Sequence, residues 1–168
     1  MSRFNIIVRS FSGYCRSRNV ERRIHDVASR PARGFADGEE FSMGSRRMKW
    51  LYTPHVPHGW DCGVLFDLST ENLPCGDLFT QPGANMPPVT ETEVLTASEG
   101  MRGMMDYYAH ARSTSAILER LANLHPSMLA CQHGSAFRGN SAALLRELAA
   151  TIERGNGKMS ALPSAMTA

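Results

Sequence analysis

Residues 49–83, KWLYTPHVPHGWDCGVLFDLSTENLPCGDLFTQPG, leave few choices of fold, because short strand-like runs follow one another with proline or glycine between them. Met48, Trp50 and Tyr52 alternate with Lys49, Leu51 and Thr53, the period of a strand. Pro54 and Pro57 have no backbone N–H to donate, so they end the run and make residues 54–60 a constrained loop. Gly63 to Leu68 is the next expected strand, Ser69 to Asn72 a turn, and Leu73 to Cys75 a strand that stops before Gly76-Asp77. Each run thereby delivers a candidate metal-ligating residue to a turn. The first is His58, in a cluster with His55 and Asp61, and the second is Asp77.

The flanking sequence extends the pattern. Phe41 and Met43 predict a strand joined to the Met48–Tyr52 run through Gly44 to Arg47. Thr90 followed by Glu93 is a capping-box pattern, predicting a helix that starts there and buries Val94, Leu95, Met101, Met104, Met105 and Tyr108 on one face. A second helix carries Ile117, Leu118, Leu121, Ala122 and Leu124 and is stopped by Pro126. Met128 to Cys131 follows as a short buried strand whose continuation is His133. Asn140 is an N-cap for a last helix with the stripe Leu144, Leu145, Leu148 and Ile152, and Gly155 is its expected stop. Strands first, then alternating helices and strands, imply an α/β or α+β layered fold.

A chain of 168 residues with 42% hydrophobic content can bury one real core, so one domain is expected. The organisation read from the chain is a poorly specified Arg/Ser-rich segment over 1–29, a domain over 30–155 and a small, polar tail over 156–168. With 18 basic against 16 acidic residues, the net charge of +2 gives no electrostatic case for nucleic acid or an anionic membrane. No apolar run reaches the roughly 20 residues that span a bilayer. The isolated cysteines Cys15, Cys62, Cys75 and Cys131 read as reduced thiols, which points to the cytoplasm.

His58, Asp77 and His133 share one property: each stands in a loop at the end of a strand, where side chains from separate elements can meet in a cleft. Imidazole nitrogens with a carboxylate able to bridge two ions suit a metal pair. Their spacing matches no local ligand motif. By residue type alone, His55 also suits a contact with a backbone carbonyl, Asp61 a turn cap and Asp77 an Asx-turn after Gly76.

The segments TPHVPHGWDCGVLFD, CGDLFTQPG and CQHGSAFRG, in this order, resemble the second half of a metallo-β-lactamase-fold protein, and in particular the branch with the diiron oxygen-binding domains of flavodiiron-type proteins. RPARGFADGEEFSMG resembles the stretch leading into that half. The resemblance implies a partial αββα sandwich with its site at one edge. It also implies that His58 ligates one metal, that Asp77 bridges, that His133 ligates the second metal, and that His55 and Asp61 support them. Zinc or iron would be the cofactor, with partial occupancy. The family's earlier His-x-His-x-Asp-His or His-x-Glu-x-Asp motif has no match in residues 1–50.

Three functions follow as expectations. One is a truncated metal-dependent protein, of hydrolase or diiron oxidoreductase descent, with weak or absent activity alone and an unidentified small-molecule substrate. The second is a non-catalytic, degenerate α/β domain that binds a partner. The third is a small binding domain with an Arg-rich arm. Missing strands would expose a sheet edge, to be covered by a second copy of the chain or a separately encoded first half.

Overall fold

The computed structural model describes residues 34–59 and 62–160, with side chains to residue 155. The segment 1–29, Asp61 and residues 161–168 lie outside the described residues.

The chain begins with an antiparallel meander. β1 (Glu40–Met43) and β2 (Arg46–Tyr52) form a hairpin that sets Met43 opposite Arg46, leaving Gly44 and Ser45 as its turn. Gly44 has φ 62°, the left-handed conformation such turns require. β2 begins two residues before its apolar alternation does, because the exposed Arg46 and Arg47 still join the ladder. β3 (Gly63–Asp67) pairs with β2, and β4 (Asn72–Gly76) pairs with β3. Gly63 is sterically dictated: a Cβ there would lie 2.1 Å from the Trp50 ring. Asp67 organises the β3–β4 turn by accepting from Arg46, from the Ser69 N–H at 2.8 Å and from the Thr70 hydroxyl at 2.9 Å. Burial pushes its carboxyl up, but these donors outweigh burial and hold it below the usual carboxylate range.

After β5 (Val89–Thr90), the helices α1 (Leu95–Met105) and α2 (Thr114–Ala122) precede β6 (Met128–Cys131), β7 (Ala136–Arg138) and α3 (Ser141–Ser160). β6 lies parallel to β4, and β7 lies between β6 and β5. Among the described residues the result is one seven-stranded sheet in the order β1-β2-β3-β4-β6-β7-β5. Leu51, Phe66, Leu73, Cys75, Leu129 and Phe137 share a core with Leu118, Leu121, Leu144, Leu145 and Leu148, so α2 and α3 cover that face of the sheet. Met48 and Trp50, on alternate positions of β2, are buried on the other face, with Phe35 close to Trp50 and stacked on Phe41. The expected α/β layering is observed, and β5 and β7, too short to show a period, went unforeseen.

Three local expectations need correction. Thr90 lies in β5, and its hydroxyl accepts from the Thr92 N–H at 3.1 Å, so it makes a turn and leaves the helix to begin at Leu95. Glu93 does cap, accepting from the Thr96 N–H at 2.8 Å. Met104 and Met105 are 72% and 63% exposed, because only Leu95 and Ser98 of α1 are buried and Asp106, at φ 43°, turns the chain away towards buried Tyr108. Gly155 does not stop α3, which continues to Ser160; a glycine tolerates helical geometry at a cost of about 1 kcal/mol.

Asn140 caps α3 as expected, its Oδ1 accepting from the Ala143 N–H at 3.0 Å. Asn140→Ala should lower stability by about 1 kcal/mol and Asn140→Ser by much less, read as urea midpoints.

Candidate metal centre

Strand direction brings the three candidate ligands together. β2 and β4 are each antiparallel to β3, and β6 is parallel to β4, so β2, β4 and β6 all run the same way. Their C-terminal ends lie at one end of the sheet. The loops leaving those ends carry His58, Asp77 and His133 respectively.

Asp77 is the meeting point. Its Oδ2 is 2.6 Å from His58 Nε2, and its Oδ1 is 3.5 Å from His133 Nε2. Asp77 Oδ1 is buried and makes no hydrogen bond. The His58 and Asp77 side chains are each 20% exposed, while His133 is 58% exposed and forms the open side.

Neighbouring groups hold this arrangement. His58 Nδ1 lies 3.2 Å from the Tyr107 carbonyl oxygen, which aims Nε2 at the carboxylate. With Nδ1 facing the Tyr107 carbonyl, Nε2 is the nitrogen presented to Asp77. The Tyr107 and Thr80 hydroxyls donate to the Asp77 carbonyl at 3.2 and 2.9 Å. Burial raises the Tyr107 hydroxyl above its ordinary range and keeps it a donor. Phe79, fully buried with φ 59°, pins the turn after Asp77 in a conformation that bulky residues rarely adopt.

Gln81 clamps the His133 loop to the Asp77 loop. Its backbone N–H donates to the His133 carbonyl at 3.1 Å, its Nε2 donates to the Phe79 and Ser135 carbonyls at 3.1 Å each, and its Oε1 accepts from the Ser135 N–H at 3.3 Å. Gly134, at φ 100°, permits this approach; a Cβ there would lie 2.7 Å from the Gln81 Cβ.

Sequence reasoning missed Tyr107 and Gln81, whose only signals are contacts made across the fold. His55 is exposed at φ 61° and adds no hydrogen bond to the three ligand candidates among the described residues. Asp61 lies outside them.

No group of three or more His, Cys, Asp or Glu side chains is disposed to hold a metal ion among the described residues. The arrangement is two histidine–carboxylate pairs sharing one carboxylate, one pair on each oxygen. An orphaned buried Oδ1 facing an imidazole is the atom a second cation would satisfy.

Solved structures carry the same architecture. Rubredoxin oxygen:oxidoreductase from the anaerobe Desulfovibrio gigas is 21% identical with a TM-score of 0.56, covering 79% of this chain and 35% of its own. The flavodiiron protein of Giardia intestinalis is 19% identical with a TM-score of 0.52, covering 72% of this chain and 30% of its own. The apo chemotaxis sensor ODP of T. denticola is 22% identical with a TM-score of 0.51, covering 66% and 46%. The fold is metallo-β-lactamase-like. At these identities the likeness is one of fold, and the chain spans less than half the length of each of these proteins. No protein-family model and no curated protein sequence matches it. No helix of this metallo-β-lactamase-like chain, among the described residues, is long and apolar enough to cross a membrane.

Proposed function

We propose that this chain contributes one wall of a binuclear iron site for oxygen chemistry, with His58 on one ion, His133 on the other and Asp77 between them. The observation that carries the reading is the split carboxylate of Asp77, with a histidine Nε2 on each oxygen. The fold neighbours support iron over zinc, since they include flavodiiron proteins and a diiron species of the sensor ODP. Bound iron would supply Lewis acidity and electron transfer to oxygen. The chain's own residues orient the donors: Tyr107 aims His58, Gln81 and Gly134 fix the His133 loop, and exposed His133 leaves that side open to a small molecule.

Three side chains do not complete two coordination shells, since even the least demanding metals take four donors each. The remaining donors lie beyond these three side chains, and weak binding and low activity are the consequence where they are not supplied.

Iron(II) titration of the purified chain under nitrogen, followed by ultrafiltration and elemental analysis, tests this reading. Saturable binding that exceeds zinc loading, and that falls in His58→Ala and in His133→Ala, is expected. Binding no greater than in a variant lacking both histidines would exclude the iron site. Preferential zinc uptake accompanied by ester cleavage would favour a hydrolase instead.

A further inference from the structure

Directly below the contact between Asp77 and His133, β4 and β6 bring two thiols together. Leu73 and Leu129 pair across the parallel ladder on the helix-covered face, and the next positions on that face are Cys75 and Cys131. A register shift between Pro74 and Gly76 makes Cys75 the extra residue of β4. Its Sγ lies 3.9 Å from that of Cys131. Both are free thiols. Cys75 is fully buried and also donates to the Leu78 carbonyl at 3.7 Å; Cys131 is only half-buried, with its Sγ 3.9 Å from the Leu129 carbonyl.

A half-buried thiol in contact with a fully buried one is the arrangement of an attacked sulfur and a resolving one. We propose that Cys75 and Cys131 form a reversible disulfide when the protein meets a hydroperoxide, tying β4 to β6 at the base of the Asp77 and His133 loops. The inference stands on the thiols alone and does not require iron to be bound.

The steps balance with the peroxide as oxidant. Cys131 sulfur attacks one peroxide oxygen, an S–O bond forms as the O–O bond breaks, and the other oxygen leaves as water, or as an alcohol from an organic peroxide. Cys75 sulfur then attacks the Cys131 sulfenic acid, the S–S bond forms as the S–O bond breaks, and water leaves. Both sulfurs are oxidised by one electron each and the peroxide takes up the pair. The sulfurs must close from 3.9 Å to about 2.05 Å. A dithiol reverses the bond by exchange.

Native protein exposed to a small excess of hydrogen peroxide, quenched by alkylation and mapped by mass spectrometry, reads the outcome in the wild-type chain. Expected is a joined Cys75–Cys131 peptide, with the two sites losing alkylation in equal amounts, Cys62 remaining alkylatable and dithiothreitol restoring both thiols. In Cys75→Ser, Cys131 should stop at a sulfenic acid that dimedone captures. The proposal fails if wild-type Cys131 proceeds to sulfinic acid while Cys75 stays alkylatable. It fails equally if Cys62 oxidises first, or if only disulfides between chains form.

Discussion

Asp77→Ala is expected to abolish saturable iron binding at both halves of the site, whereas His58→Ala and His133→Ala each leave the other half. One carboxylate faces both histidines, Oδ2 at 2.6 Å from His58 and Oδ1 at 3.5 Å from His133, so its removal would delete a donor from each ion of the proposed site at once. The affinity loss should exceed the roughly 10–100-fold that follows removal of a group that only supports a ligand. The fold should survive, because the loop is held by backbone: the Asp77 carbonyl, which accepts from Thr80 and Tyr107, is kept in the variant. Elemental analysis after iron titration measures the loss, and an unchanged far-ultraviolet circular dichroism spectrum shows that the loss is local. Iron retained at wild-type levels in Asp77→Ala would remove Asp77 from the site.

Leu145→Ala should destabilise the domain by about 2–5 kcal/mol, the range for deleting a buried leucine side chain. Leu145 is wholly buried in the stripe with which α3 joins the core over the sheet, between Leu144 and Leu148. α2 and α3 pack tightly against one another over the face that includes Leu73 and Leu129, so little can move in to fill the space. At about 2 kcal/mol per molar urea, the midpoint should fall by roughly 1–2.5 M. Met104→Ala, at an exposed position, is the control and should stay within about 0.5 kcal/mol of wild type. Equal effects in the two variants would mean that α3 is not packed as described.

The candidate ligands His58 and Asp77 illustrate how far sequence reading reaches. Pro54 and Pro57 mark the loop that carries His58, and the Leu73–Cys75 run ending at Gly76 marks the turn at Asp77, so local chemistry placed both residues at strand ends. What holds them there was not legible. Tyr107 lies 49 positions from His58, and the Gln81 side chain contacts Ser135 at a separation of 54, so no periodicity relates them. The misread N-terminus of α1 has a related cause: Thr90 has the residue type of a cap, but pairing of β5 with β7 draws it into a strand.

By itself, the sequence determined the alternation of strands and turns from Phe41 to Gly76, the buried stripe and N-cap of α3, and three potential donors at strand ends. These follow from interactions between residues a few positions apart: side-chain period, proline's missing donor, a capping amide. Only the tertiary structure decided that β6 lies parallel beside β4. That pairing sends the end of β6 to the end of the sheet where β2 and β4 also finish, sets His133 beside Asp77 and puts Cys75 in contact with Cys131. The physical reason is that the choice of strand neighbour depends on burying one common face under α2 and α3, a property of the whole core and of no single segment.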